Sequence, residues 1–304
     1  MDVMQSMAVF RRVAEAGSFS AVARETAMSQ SSVSKHIAAL EERLGTKLLN
    51  RSTRQLNLTE AGKEYYHYCV RILNDFQEAE ASVGKGKILP TGTLRLSSTA
   101  PFGRKFIIPM LGDFLNKYPD INIDYLMEDR YIDLVKQGVD LAIRVGPLQD
   151  SSLIARKIGS SRRIVVANSA YLIKHGFPKT PADLAKHECL IYSLLKSPRD
   201  WFFSSTQHGD ESVRVSGRFK ASSQEALVEA ALSGLGIAIL CDWHAEEHLQ
   251  RGRLTLLLKN YALSPYDINA VYPERRFVPQ KVKRFIDHLR VHLNQRDPLM
   301  AHQG

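Results

Sequence analysis

The stretch Ser29-Gln30-Ser31-Ser32-Val33-Ser34-Lys35-His36-Ile37 decides how the rest of the 304-residue chain is organised. Val33, Ile37, Leu40 and Leu44 recur at spacings of four, three and four, which puts them on one side of a helix. The other side carries Ser31, Lys35 and Ala38, with Ser34 on its flank. These side chains are small or cationic, so such a helix can approach a nucleic acid closely and still donate hydrogen bonds. Upstream, Gly17-Ser18-Phe19-Ser20-Ala21-Val22-Ala23 reads as a shorter helix, joined to the first by a turn at Ala27-Met28. Two short helices across a tight turn make a helix-turn-helix.

Met4, Met7, Ala8 and Val13 predict a preceding amphipathic helix that ends near Gly17. Ser18 or Ser20 is placed to cap the second helix, Ser29 the third, and Gly45 stops it. Lys47 to Leu58 then reads as a hairpin wing. Its polar turn holds Arg51, Thr53 and Arg54, suited to phosphates or to a narrow minor groove. A solvated basic surface is the competing account of Lys35, Arg51 and Arg54; the helix-turn-helix and wing around them favour DNA contact.

Thr59 and Glu60 start a long helix, a cap followed by an acid at the positive end of the dipole. Tyr65, Cys69, Ile72, Phe76, Ala79 and Val83 continue it at alternating spacings of four and three. Such a narrow seam is what one helix presents to another, and it predicts a homodimer through this strut. Gly84-Lys85-Gly86-Lys87 and Pro90-Thr91-Gly92 mark the linker.

The composition fits. Hydrophobic residues are 44% and charged residues 24% of the chain, an ordinary globular mixture, and the formal net charge of +9 suits an anionic partner. Three widely separated cysteines, Cys69, Cys189 and Cys241, argue against a disulfide framework and point to a reducing compartment. No secretory signal or membrane-spanning run is visible, so a cytoplasmic location is expected, with no membrane partner.

Residues 1–60 resemble the winged helix-turn-helix of LysR-type transcriptional regulators. The resemblance is carried by Phe10, Glu15, Gly17-Ser18-Phe19-Ser20, Ala23, Ser29 to Ser34, Ile37, Leu40-Glu41, Leu44-Gly45, Leu48-Leu49, Arg51, Arg54, Leu58-Thr59 and Ala61-Gly62. It extends over nearly the whole chain. It implies a DNA-binding domain at 1–60, a dimerisation helix and hinge at 61–91, and a two-lobed α/β effector domain at 92–304, similar in fold to periplasmic binding proteins. Lobe one would hold 92–165 and 266–304, lobe two 166–265. It also implies a homotetramer on double-stranded promoter DNA, a small-molecule effector, and RNA polymerase as a candidate further partner. On the recognition helix and wing, Ser29, Gln30, Ser31, Ser34, Lys35, His36, Arg51, Thr53 and Arg54 become the expected DNA-contacting set.

The pattern after Thr93 alternates strands and helices, indicating an α/β fold with a largely parallel sheet. Strands are expected at 94–97, 121–125, 140–145, 163–167 and 267–272, and helices up to about 118, near 131–137, at 224–232 and at 279–293. Ligands of open α/β sheets sit beyond strand carboxyl ends, against helix N-termini. Two turns match: Ser98-Thr99-Ala100-Pro101-Phe102, and Ala221-Ser222-Ser223 after a strand around 213–219. The resemblance sets these turns across the effector cleft from each other. Arg144 and Gly146 would line the same cleft, with Arg144 the natural partner of an anionic effector.

Other features carry less. His36 is expected beside the core or a phosphate. His244 and His248, four apart, permit two metal ligands on one helical face, but no acid or thiol joins them and a solvated face is the simpler reading. Cys189 and Cys241 read as buried thiols rather than a redox pair, because the loop expected at 201–206 has no cysteine. Trp201 and Trp243 read as packing residues. No phosphate loop, zinc motif, nucleophile elbow or catalytic triad appears, so neither an enzyme nor a cofactor is expected. A solute-binding protein sharing the fold, or an architectural DNA binder that needs no ligand, are the alternatives.

Overall fold

The computed structural model describes residues 2–51, 56–83, 90–129, 131–148, 152–207, 209–274 and 278–296. The N-terminal domain packs α1 (Val3–Ala16), α2 (Phe19–Glu25) and α3 (Gln30–Leu44) around Phe10, Val13, Val22, Val33, Ile37 and Leu40, all fully buried. Each helix starts where a side chain accepts a free amide. Asp2 caps α1, Ser18 accepts from Ala21 N, and Ser29 accepts from Ser32 N at 3.1 Å. Gly17 and Gly45 end α1 and α3 in the left-handed conformation.

Strands β1 (Leu49–Arg51) and β2 (Leu56–Leu58) pair antiparallel as the wing, with Leu49 opposite Leu58. Helix α4 (Glu60–Val83) follows, capped by Thr59 Oγ1, which accepts from Gly62 N at 2.9 Å. Gly62 is required there because a Cβ would lie 1.9 Å from the Leu48 carbonyl oxygen.

The seam of α4 divides in two. Cys69 is fully buried in the N-terminal domain's own core, and Tyr65 packs on Phe10 with ring centroids 5.6 Å apart. These two residues therefore cover α1 rather than a second copy of the helix, a correction to the expected dimer seam. Among the described side chains of α4, the exposed large apolar ones are Tyr68, Ile72 and Phe76, at 40%, 40% and 47%. The side chain of Val83 lies outside the described residues, and so do Thr53, Arg54 and the side chain of Arg51.

The larger domain runs β3 (Gly92–Ser98), α5 (Ala100–Phe102), a π-helical turn at Gly103–Ile107, α6 (Ile108–Lys117), β4 (Ile121–Met127), β5 (Leu141–Val145) and β6 (Leu153–Ser161). It crosses to β7 (Arg163–Ala167), α7 (Ser169–His175), β8 (Ile191–Tyr192), β9 (Asp200–Ser205), β10 (Gly209–Arg214), β11 (Lys220–Ala221), α8 (Gln224–Leu232), β12 (Ala238–Cys241), α9 (Asp242–Gln250) and β13 (Thr255–Leu257). It returns through β14 (Tyr266–Pro273) and α10 (Gln280–Arg296). Lobe one is a five-stranded sheet, β4-β3-β5-β14-β6, and the second lobe opens with β7 at Arg163, three residues before the expected boundary.

Four expectations about this domain change. Only β3–β4, β3–β5 and β8–β11 pair parallel among the described strands, whereas β14 and the β12-β7-β13 sheet are antiparallel. Residues 131–137 form turns rather than a helix, ended by Gly138 at φ +63°. Residues 201–206 are mostly strand β9, which pairs with β10 as a hairpin, and of the single strand expected at 213–219 only 213–214 is strand, the end of β10, with β11 beginning just past it at Lys220.

Trp243 joins the lobes. It stands in α9 of the second lobe, yet its ring meets Phe102 and Phe106 of lobe one at centroid distances of 6.0 and 5.4 Å. Its Nε1 donates to Ser161 Oγ at 3.0 Å. Next to it His244 stacks at 3.6 Å with both ring nitrogens buried, so this face of α9 is not solvated as expected. Burial, with Lys105 nearby, lowers the pKa of His244 to about 3.

Candidate nucleic-acid interface and effector cleft

Gln30, Ser31 and Lys35 are exposed on α3, opposite its buried Val33, Ile37 and Leu40. Ser29 is committed to the cap and also lies 2.8 Å from Ser31 Oγ. Ser34 is half-buried on the flank. His36 turns the other way: its Nδ1 meets Ser6 Oγ of α1 at 2.8 Å, and that hydroxyl in turn donates to the Asp2 carbonyl at 3.0 Å. His36 thus sets the pitch of α3 against α1.

Glu41 is a functional residue whose role the sequence hides. It is 7% exposed, and its Oε1 accepts from the amides of Leu48 at 3.0 Å and Leu49 at 3.3 Å. Its Oε2 pairs with Lys47 Nζ at 2.7 Å. Burial alone would raise this carboxyl; hydrogen bonds from Lys47, Leu48 and Leu49 outweigh it and hold the pKa below the usual range. Glu41 ties the wing to the recognition helix. Its sequence signal was faint, since Glu41 stands at the head of a charged run, Glu41-Glu42-Arg43, that reads as solvated surface.

In lobe one, β3 ends at Ser98, a fully buried residue whose Oγ lies 2.6 Å from the Tyr125 hydroxyl. Thr99 opens α5 without a side-chain cap bond. Pro101 and Phe102 are buried, Phe102 within the lobe-one core, so they shape the turn from beneath. Gly103 passes so close under Tyr125 that a Cβ would stand 2.3 Å from its hydroxyl.

Arg144 is 7% exposed and already engaged. It donates to the Glu128 carbonyl at 3.1 Å and to Ser97 Oγ at 3.2 Å, with its guanidinium carbon 5.9 Å from the Tyr131 ring centroid. Desolvation lowers its pKa, against the raising influence of Tyr131, Asp129, Glu128 and Tyr125. Gly146, at φ +98°, lies against Tyr266, where a Cβ would come 3.3 Å from the ring.

The second lobe supplies Tyr192, whose backbone partner in β11 is Ala221, directly before Ser222 and Ser223. Burial, then the proximity of Tyr266, Asp129 and Tyr131, raises the Tyr192 hydroxyl. Tyr192 of the second lobe thus lies near Asp129 and Tyr131 of lobe one, and Ser222 and Ser223 lead from β11 into α8. Beside it Arg104 pairs with Glu225, and Lys105 Nζ reaches Glu246 at 2.6 Å and the Trp243 carbonyl at 2.8 Å.

Comparison with known proteins agrees with this division. Residues 4–63 match the bacterial regulatory helix-turn-helix proteins of the lysR family, and residues 88–294 match the LysR substrate binding domain. The HTH-type transcriptional regulator CrgA of Neisseria meningitidis serogroup C is 37% identical over 286 residues, covering 94% of this chain and 95% of its own. The HTH-type transcriptional activator AaeR of Escherichia coli is 36% identical over 290 residues, covering 95% and 93%. The solved structure of Neisseria meningitidis CrgA aligns with a TM-score of 0.58 at 37% identity, over 94% of this chain and 97% of that one. Full-length AphB, a virulence activator of Vibrio cholerae, aligns at 0.56 with 33% identity over the same shares. The chain belongs to the LysR-type transcriptional regulators, with a helix-turn-helix DNA-binding domain joined to an effector-binding domain.

Proposed function

We propose that this regulator reads a promoter half-site with Gln30, Ser31, Ser34 and Lys35 of α3, while Arg51, Thr53 and Arg54 of the wing hold the flanking backbone. Ser29 and His36 act behind them, one capping α3 and the other setting its angle. The observation that carries this reading is the polar, exposed face of α3, set opposite Val33, Ile37 and Leu40, which are fully buried in the domain core. Ile72 and Phe76 carry dimerisation through α4, and paired dimers form a tetramer that recruits or excludes RNA polymerase. The protein acts in the cytoplasm, as a regulator rather than a catalyst. A small molecule bound between Ser98-Thr99 and Ser222-Ser223 favours one arrangement of the effector domains and shifts the population toward it.

A gel shift on the DNA upstream of the gene tests the first part. Lys35→Ala weakens binding across sequences and lowers the salt slope by about one. Gln30→Ala changes base preference. If neither variant alters the shift, α3 is not the reading element. A thermal-shift screen with metabolites, followed by footprinting, tests the second part; where no compound stabilises the protein or changes the footprint, the ligand-independent architectural reading takes its place.

A further inference from the structure

Helix α4 belongs to the DNA-binding domain on one side and meets lobe one on the other. Tyr65 and Cys69 pack into the N-terminal core, and the Tyr66 hydroxyl donates to Glu15 Oε1 of α1 at 3.2 Å, so α4 and that domain form one body. Next to Tyr66, the half-buried His67 reaches the other body: its Nδ1 lies 3.2 Å from Arg95 Nη1 of β3. A guanidinium has no acceptor, so Arg95 donates and His67 Nδ1 accepts without a proton. The ring is therefore neutral, with its hydrogen on Nε2.

Arg95 does not depend on His67 for its place. Its Nε pairs with Asp124 of β4 at 2.8 Å, and its Nη1 also donates to the Gln137 carbonyl at 3.0 Å. Gly138 leaves room for the pair: at φ +63°, a Cβ there would stand 3.1 Å from Arg95 Nη1 and 3.2 Å from His67 Nδ1. Beside the pair, α1 and lobe one stand apart across a hollow of about 200 Å³ lined by Arg11, Glu15, Tyr66, Arg95 and Asp124. With open space between the two bodies there, the His67–Arg95 bond carries more of their alignment.

We infer that this bond is a proton-sensitive latch between the DNA-binding domain and lobe one: neutral His67 accepts Arg95 and fixes the angle of α4, and protonated His67 releases it. A proton on Nδ1 removes the acceptor and sets an imidazolium against a guanidinium. The facing acids are already engaged. Asp124 holds Arg95, and Asp140 holds Lys281 of α10 at 2.7 Å and the Arg95 amide at 3.1 Å. Across the hollow Arg11 and Glu15 pair with each other at 3.0 Å. On α4 itself Lys63 pairs with Glu60, Glu64 is exposed, and Arg71 adds a second positive charge on the His67 side. Burial first, and then the Arg95 charge, lowers the latched His67 from its ordinary value of 6.5. The latch is thus at full strength above that value. It weakens as pH falls below it, the ratio of latched to released chains dropping by at most about tenfold per pH unit. Release lets α4 turn against lobe one and carry the recognition helix with it, so the contacts with DNA respond to acid.

Small-angle scattering reads the latch in the full chain, and DNase footprinting on its upstream DNA reads the consequence, at about pH 7.5 and about pH 5.5. Two variants accompany the wild type: His67→Gln keeps an acceptor oxygen but takes no proton, and His67→Lys is charged throughout. The wild type gains radius of gyration and alters its footprint at the lower pH. His67→Gln behaves at both pH values as the wild type does at the higher, and His67→Lys as the wild type does at the lower. A wild type indifferent to pH overturns the inference, as does His67→Gln following the wild-type change or a folded His67→Lys that matches the wild type at the higher pH. A change confined to scattering overturns the link to DNA. Where His67→Lys fails to fold, shown by the loss of its thermal transition, the comparison of the wild type with His67→Gln decides alone.

Discussion

Glu41→Ala separates two roles that the buried carboxylate combines. Its Oε1 receives the amides of Leu48 and Leu49, residues only 1% and 5% exposed, while its Oε2 meets a Lys47 side chain that is 78% exposed. Truncation leaves two buried N–H groups unmatched at about 1–3 kcal/mol each, so the N-terminal domain loses about 2–6 kcal/mol. The pairing with an exposed lysine contributes less than about 1 kcal/mol. Glu41→Gln keeps an oxygen for both amides and loses only the charge, so it costs about 1 kcal/mol or less. Against a typical domain stability of about 5–15 kcal/mol, the two variants are easily told apart. Urea unfolding followed by circular dichroism gives the costs, and a gel shift reports whether the wing still serves DNA. The depressed pKa adds a sign: this stability is present above the carboxyl's unfolded value and is lost as pH falls through its lower folded value. Glu41→Gln costing as much as Glu41→Ala, or the alanine variant keeping wild-type stability, would refute the assignment of Glu41 to the wing amides.

Gly62→Ala forces a Cβ onto the Leu48 carbonyl, so α4 must part from the wing; DNA affinity falls in a gel shift while thermal unfolding of the effector domain stays unchanged. Ile72→Ser with Phe76→Ser removes the exposed apolar part of α4 and shifts sedimentation from the oligomer toward the monomer, whereas Tyr65→Ser destabilises the N-terminal domain instead. Arg144→Ala strands Ser97 Oγ and the Glu128 carbonyl and costs the effector domain about 1–3 kcal/mol in urea unfolding.

How much was legible follows from what local rules encode. Ser18, Ser29 and Thr59 were readable as caps because a cap is decided within four residues, and Gly17 and Gly45 as stops for the same reason. The seam of α4 was readable as apolar, but periodicity says which side is apolar and not what covers it. Phe10 covers Tyr65 from 55 positions away in the chain, a contact no local window contains. The helix expected at 131–137 had the right residues for one turn, and Asp133 does accept amides from Val135 and Lys136. Gly138 then takes a left-handed conformation and stops it. Ser98 and Ser222 were readable as strand-end residues, and they do close β3 and follow β11. The meeting of Ser98 with Tyr125 was not readable, because the partner lies 27 positions away on the neighbouring strand.

The same logic explains why β3 matters more than its length suggests. At its midpoint Arg95 Nη1 lies 3.2 Å from His67 Nδ1 on α4, and Arg95 Nε pairs with Asp124 at 2.8 Å. The Arg95 amide donates to Asp140, whose carboxylate also holds the buried Lys281 at 2.7 Å. At its carboxyl end Ser97 receives Arg144 and Ser98 meets Tyr125. A seven-residue strand thus touches the helix that carries the DNA-binding domain from its midpoint and the Arg144–Tyr125 surface from its carboxyl end. Its middle residues Leu94 and Leu96 are fully buried between neighbouring strands, so the strand is held as part of a rigid sheet and does not flex as a free tether. A ligand that favoured one position of lobe one against α4 would reach the DNA-binding domain through these contacts. Contact along β3 supplies the physical connection; the energy must come from the ligand's preference for one lobe arrangement over the other.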